Sequence, residues 1–306
     1  MTAAFDIQAP AKLNLFLHVT GRRDDGYHLL QSLFVPIALY DSLSFKINEG
    51  GRVRRLSEIA GIAEADDLVI KAAGLLKAHC GRAELGVDIE LQKVIPSGAG
   101  LGGGSSDAAA TLLALNTLWD LQLSKEQLLP LALSLGADVP FFLYAMPAIV
   151  EGIGEQITIL PNDLTTSLGD THYVLFIPQL AIPTVSIFKA PNLKRDTPRL
   201  TQQQLVSELS RAAPVWHYGH NDLQAVACAQ HLALDSLSRF LLEQGINARM
   251  SGAGSVFFAA FATKEQASMA QQQVSGAYAE LILAEPENPL SALQLCCLTV
   301  AAHPLQ

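Results

Sequence analysis

The segment Pro96-Ser97-Gly98-Ala99-Gly100-Leu101-Gly102-Gly103-Gly104-Ser105-Ser106 constrains this chain more than any other. It follows an alternating strand pattern at 87–95, with Val87, Ile89 and Leu91 on one face. It precedes a helical pattern from Ala108 to Trp119, with Leu112, Leu115 and Trp119 as the apolar stripe. Five glycines in seven residues let several backbone N–H groups turn toward one small space at the positive end of the helix. That space suits phosphate without any side-chain charge. Ser105, Ser106 and Asp107 are the expected N-cap candidates. A flexible linker is a poor description of a run pinned between a clean strand and a clean helix.

Two other phosphate loops are tested by spacing. Gly98, Gly100 and Gly103 satisfy GxGxxG, but a dinucleotide fold then needs a parallel strand with an acidic residue about 20 positions on. Here 124–135 reads as a second helix instead. No Gly-Lys-Ser/Thr closes the run, which excludes a P-loop.

The net charge of −9 argues against a nucleic-acid binder, and any positive charge that holds an anionic ligand must be local. Hydrophobic residues make up 50% and charged residues 16%, enough apolar content for two buried cores across 306 residues. The four cysteines, at 80, 228, 296 and 297, have neither zinc nor disulfide-framework spacing and read as reduced. The stretch from Met1 to Phe16 lacks a basic n-region and carries Asp6, Pro10 and Lys12 among its apolar residues, so a signal peptide is not expected and the compartment reads as cytoplasmic. Leu128 to Val150 is apolar apart from Asp138, but Pro130, Pro140 and Pro147 would interrupt a spanning helix; a buried loop and strand are expected there.

Residues 11–19 alternate, with Leu13, Leu15, Leu17 and Val19 on one face and Lys12, Asn14, Phe16 and His18 on the other. The second face suits a polar pocket. Asp138, within Gly136-Ala137-Asp138-Val139-Pro140-Phe141-Phe142, either caps a turn or serves a function, since an uncompensated carboxylate in so apolar a stretch is costly. Lys12 is its natural counter-charge, and such a pair favours an incipient alkoxide. A small-residue loop, Ser251-Gly252-Ala253-Gly254-Ser255, precedes a strand through Phe261 and could help close a site. Further helices are expected at 201–212, 222–244 and 264–274, with strands at 173–177 and 293–300. Strands and helices mix without regular alternation, so two α+β domains are expected, at 1–160 and 161–306.

Ala-Lys-Leu-Asn-Leu at 11–15, the run from Pro96 to Ser106, Gly-Ala-Asp-Val-Pro at 136–140 and Ser-Gly-Ala-Gly-Ser at 251–255 together resemble the motifs of the GHMP kinase superfamily, in their proper order. Gly26-Tyr27-His28, Ile182-Pro183-Thr184 and Phe188-Lys189 resemble a branch of it that acts on an alcohol bearing cytidine diphosphate, in the non-mevalonate route to isoprenoids. The resemblance runs from about residue 9 to about residue 261. It implies a two-domain α+β GHMP kinase fold, its N-terminal domain like the second domain of ribosomal protein S5 and its C-terminal domain ferredoxin-like. It further implies ATP as co-substrate, held by Pro96, Ser97, Gly98, Ala99, Gly100, Leu101, Gly102, Gly103, Gly104, Ser105 and Ser106. By the matching positions, Asp138 is the base or orienting group and Lys12 its partner, with Asn14 nearby. Tyr27 and Phe188 stack on the cytosine, His28 bonds to it, and Phe34, Thr184 and Lys189 complete the pocket. Mg²⁺ is expected mainly on the ATP phosphates, with Ser105 or Ser106 as the nearest protein oxygens and no protein carboxylate as ligand. The tail from Ala284 to Gln306 departs from the family pattern and is expected only to pack. Other readings are a GHMP kinase for a different small alcohol and a catalytically silent nucleotide-binding regulator; the presence of both Lys12 and Asp138 speaks against silence.

Overall fold

The computed structural model describes residues 4–59, 61–212 and 214–302. The first elements in chain order are β1 (Ala4–Arg22), β2 (His28–Ile47), β3 (Val53–Arg55), α1 (Leu68–Cys80), β4 (Val87–Gln92), α2 (Gly103–Leu118), α3 (Lys125–Leu135) and α4 (Val139–Phe142). They continue with β5 (Ala148–Gly152), β6 (Gln156–Ile159), α5 (Asn162–Gly169), β7 (His172–Ile177), α6 (Thr184–Phe188), α7 (Gln202–Arg211), α8 (Gln224–Gln230) and α9 (Leu232–Glu243). The last are β8 (Arg249–Met250), β9 (Phe257–Phe261), α10 (Lys264–Ala284) and β10 (Cys296–Ala301). The chain divides into two compact units that interleave in sequence. One takes the chain up to Ala11 with Leu39–Ser97 and Gly102–Met146; the other takes Lys12–Ala38, Gly98–Leu101 and everything from Pro147.

In the first unit, the end of β2 pairs antiparallel with β4, Phe45 opposite Ile89, and β3 pairs parallel with β4. Val87, Ile89 and Leu91 are buried, as their alternation predicts. Helix α2 is buried along most of its length through Ala108, Ala109, Ala110, Leu112, Ala114 and Leu115, and its small side chains let α1, α3 and α4 approach it. The helix starts earlier than the apolar stripe suggests. Its N-cap is Gly102, in the left-handed region at φ 72°, and no side chain caps it. Ser105, Ser106 and Asp107 therefore lie inside the first turns and do not act as caps. Glycine makes the turn that a capping serine would otherwise make, leaving the first amides without a side-chain acceptor.

The helix expected at 124–135 is α3, and the rest of the apolar stretch to Val150 holds the short α4, which was not expected, and the start of β5, the expected buried strand. Ser124 and Gln127 form a capping box that starts α3, Pro130 lies inside that helix, and α4 follows before β5. No helix among the described residues is long and apolar enough to cross a membrane.

In the second unit, the start of β2 pairs with β5, and β5 with β6, all antiparallel. A separate antiparallel sheet has the order β10-β7-β9-β8. Val174 and Phe176 of β7, Leu237 and Leu241 of α9, and Leu17 and Val19 of β1 share one apolar core. The single helix expected over 222–244 is two helices, because His231 adopts an extended backbone at φ −130° and ψ 95° and opens α9. Helix α10 runs ten residues past the expected end, and in those added turns Ala277, Tyr278 and Leu281 still pack on the core. The tail does more than pack: β10 forms the outer strand beside β7, with Leu298 opposite Leu175.

Candidate phosphate and acceptor sites

The glycine run is shaped by backbone conformation. Gly98, Gly100 and Gly102 have φ of +66°, +78° and +72°, a region that side-chain-bearing residues rarely enter. A Cβ on Gly100 would lie 2.1 Å from the carbonyl oxygen of Ser251. The hydroxyl of Ser251 donates to Gly100 O at 2.9 Å, and Val256 N donates to Ala99 O at 3.3 Å. Ser251 to Ser255, a loop that alone reads as an ordinary turn, is thus pressed against Gly98–Leu101. Within the run, Ala99 and Leu101 are buried, while Ser97 and Gly98 are exposed.

Lys12 and Asn14 stand together on β1. The Lys12 side chain is 3% exposed, its Nζ donates to Asn14 Oδ1 at 2.5 Å and lies 4.7 Å from the Phe34 ring centroid, and its backbone N–H donates to Leu101 O at 2.9 Å. Asn14 donates through Nδ2 to the Ser32 hydroxyl at 3.0 Å and through its backbone N–H to the Ser251 hydroxyl at 3.2 Å. The ammonium is therefore aimed by an amide that is itself held from two sides. Long stems such as that of Lys12 also gain from lying over an aromatic face.

At the start of α2, the structure adds Lys93 and Asp41, which the sequence reading passed over, and pairs them with Asp107. Lys93 Nζ donates to Asp107 Oδ2 at 2.7 Å and to Asp41 Oδ2, while Asp41 Oδ1 accepts from Val94 N at 2.5 Å and Ile95 N at 2.8 Å. Burial pushes the Asp107 carboxyl up to about 7; Lys93 opposes that rise and Asp41 adds to it. For Lys93 itself, burial disfavours the charge, but Asp107 and Asp41 outweigh it and raise its pKa. The ammonium of Lys93 is thus compensated by two carboxyl groups in a buried cluster beside the start of α2. Its sequence signal is only a lysine at a strand end, three residues before Pro96.

Gly103 has no positive φ, so its need for glycine is one of space. A Cβ there would meet Ile95 Cγ2 at 2.9 Å and Lys93 Nζ at 3.1 Å. Gly103→Val should weaken ATP binding by at least about tenfold, which is 1.4 kcal/mol, by displacing the first turn of α2 and Lys93. Acceptor affinity should change less. Unaltered ATP affinity by titration calorimetry in a folded variant would contradict a phosphate cradle.

Asp138 occupies the N-cap position of the short α4, at φ −85°, yet its side chain makes no capping hydrogen bond there.

The residues assigned to the acceptor come together in part. His28 and Phe188, far apart in sequence, have ring centroids 5.0 Å apart at an interplanar angle of 32°. Tyr27 is 60% exposed beside them in sequence, Phe34 is buried under Lys12, and Thr184 and Lys189 are exposed at the two ends of α6. Arg195, missed by the sequence reading, donates from Nε to His28 Nε2 at 2.9 Å.

The pattern described as GHMP kinases N terminal domain matches residues 67–146, and that described as GHMP kinases C terminal matches 205–280. A 4-diphosphocytidyl-2-C-methyl-D-erythritol kinase of Bordetella bronchiseptica is 44% identical over 271 residues, covering 89% of this chain and 87% of its own. One of Burkholderia lata is 44% identical over 290 residues, covering 93% and 95%. The crystal structure of a 4-(cytidine 5'-diphospho)-2C-methyl-D-erythritol kinase superimposes with a TM-score of 0.74 at 31% identity, covering 98% of this chain and all of that one.

Proposed function

The chain belongs to the GHMP kinase family, and on that premise we propose that it transfers the γ-phosphoryl group of ATP to the 2-hydroxyl of 4-diphosphocytidyl-2-C-methyl-D-erythritol, in non-mevalonate isoprenoid synthesis. The geometric observation that carries the acceptor assignment is the ring contact of His28 with Phe188, two residues that the family resemblance independently assigns to one base pocket.

Phosphoryl transfer through a loose transition state asks a protein for position and charge more than for covalent chemistry. The acceptor oxygen attacks the γ-phosphorus, the bond to the β,γ-bridging oxygen breaks, ADP leaves, and the hydroxyl proton passes to Asp138. Lys12, held by Asn14, favours the oxygen as it gains negative charge. The amides of the glycine run and the uncapped start of α2 hold the phosphates.

Mg²⁺ carried on the ATP phosphates would neutralise part of their charge. The first turns of α2 fit it, because Ser106 Oγ, a hard oxygen of the kind the ion takes, is buried there with no hydrogen-bond partner among the described residues. Ser106 would be the protein oxygen nearest the phosphates. We place the enzyme in the cytoplasm, where ATP is supplied.

Base–aromatic stacking is worth about 1–3 kcal/mol per base, so Tyr27→Ala/Phe188→Ala should raise the acceptor KM by at least about tenfold with little change in ATP turnover chemistry. CMP should compete with the acceptor in the unaltered enzyme, while mevalonate and homoserine should not be phosphorylated. A melting scan beside the kinetics separates lost recognition from lost stability. Efficient phosphorylation of an alcohol carrying no cytidine, without competition from CMP, would leave a GHMP kinase for a different acceptor.

A further inference from the structure

We infer that Arg195 is a positioning residue that locks His28 in the tautomer bearing its proton on Nδ1, so that His28 meets the acceptor's base as an obligate donor and selects cytosine over uracil.

The argument starts from what a guanidinium can do. It has five N–H donors and no acceptor, and it stays protonated. The Arg195 Nε–H donates to His28 Nε2 at 2.9 Å, so that ring nitrogen must present its lone pair. A neutral imidazole then carries its proton on Nδ1. The guanidinium cannot swing away to relieve the constraint. Its Nη1 donates to Leu193 O at 2.9 Å, and its Nη2 donates to Phe188 O at 3.1 Å and Ala190 O at 2.7 Å. The same side chain thereby ties the end of α6, which carries Phe188, to His28. The Phe188 ring against the imidazole holds its plane.

Protonation of Nε2 would set a cation against Arg195. Partial burial first, then Arg195 and Arg22, hold the His28 pKa below its ordinary value, so the ring stays neutral. Among the described residues no group bonds to Nδ1, which leaves its proton for a ligand.

An obligate donor separates the two pyrimidines only where they differ in sign. Cytosine N3 is an acceptor, whereas uracil N3 carries a hydrogen; the Nδ1–H of His28 completes a hydrogen bond with the first and opposes a donor on the second. A site built to hydrogen-bond one partner rejects an isostere that leaves the buried group unpaired. This inference rests on the cytidine-bearing acceptor proposed above, and it adds the residue that sets the direction of the hydrogen bond.

The test is nitrogen-15 NMR of the histidine rings in the whole enzyme at pH 7, with the His28 signals assigned by their loss in His28→Gln. Protonated Nδ1 and unprotonated Nε2 are expected. The Nε2–H tautomer or an imidazolium would overturn the inference, and this reading needs no Arg195 variant to fold. Competition kinetics give the second arm: CMP should inhibit at least about tenfold more strongly than UMP. Arg195→Gln should mix the tautomers, raise the acceptor KM about tenfold, keep kcat within about twofold and narrow the CMP-to-UMP ratio, with Arg195→Lys restoring part of that ratio. A folded Arg195→Gln enzyme with the pure Nδ1–H tautomer and an unchanged ratio would overturn the role of Arg195. Equal competition by CMP and UMP would overturn the inference while leaving the cytidine-bearing acceptor in place; competition by neither would overturn both.

Discussion

Asp138→Asn should lower kcat by about 10²–10⁴ while ATP binding stays close to that of the unaltered enzyme. The substitution keeps the size of the side chain and removes its charge and its capacity to take a proton. A melting scan of the variant beside its kinetics separates lost chemistry from lost stability. Lys12→Ala should fall in the same range for a different reason. It removes a cation that is 3% exposed and leaves Asn14 Oδ1 without its 2.5 Å donor, so some loss of stability should accompany the loss of rate. Single-turnover kinetics with saturating ATP, run beside calorimetry of ATP binding, separate the two effects. More than half of the parental kcat in Asp138→Asn would remove this carboxylate from catalysis.

Gly100→Ala should destabilise the protein by about 2–4 kcal/mol, the largest effect expected of any single added methyl group here. A residue with a Cβ held in the left-handed region costs about 1–2 kcal/mol by itself. The methyl group would also lie 2.1 Å from Ser251 O, so the chain at Ser251 must move, and the 2.9 Å hydrogen bond from its hydroxyl to Gly100 O would be strained or lost. Since Ser251 also accepts from Asn14 N, the disturbance should reach the residue that aims Lys12. Both the melting temperature and kcat should fall. Gly104→Ala is the control. Gly104 lies within α2 without a positive φ, and its added Cβ would meet only Leu68 Cδ1, at 3.6 Å, so alanine there should be neutral or slightly stabilising. Equal melting temperatures for the parent and Gly100→Ala would refute the close backbone approach.

What the sequence determined by itself were properties that one segment carries alone. The strand, glycine run and helix between Val87 and Leu118 were legible because period-two and period-3.6 patterns and glycine chemistry act over a few residues. The polar face of β1 with Lys12 and Asn14 was legible for the same reason. The family motifs then supplied roles that periodicity could not, the cytosine pocket above all. Tertiary structure decided which distant groups meet. Lys93 and Asp41 are 52 residues apart, and Arg195 and His28 are 167 apart; nothing local marks either pairing, which only the folded chain creates. The start of α2 was misplaced because a left-handed Gly102 can turn the chain where a serine was expected to cap it. The break at His231 and the strand at the tail were hidden for a related reason: α8 and α9 together read as one apolar helical period, and β10 gains its meaning only from hydrogen bonds to β7. Local conformation follows from nearby residues, but burial, pairing and the direction of a hydrogen bond depend on neighbours that the linear order does not name.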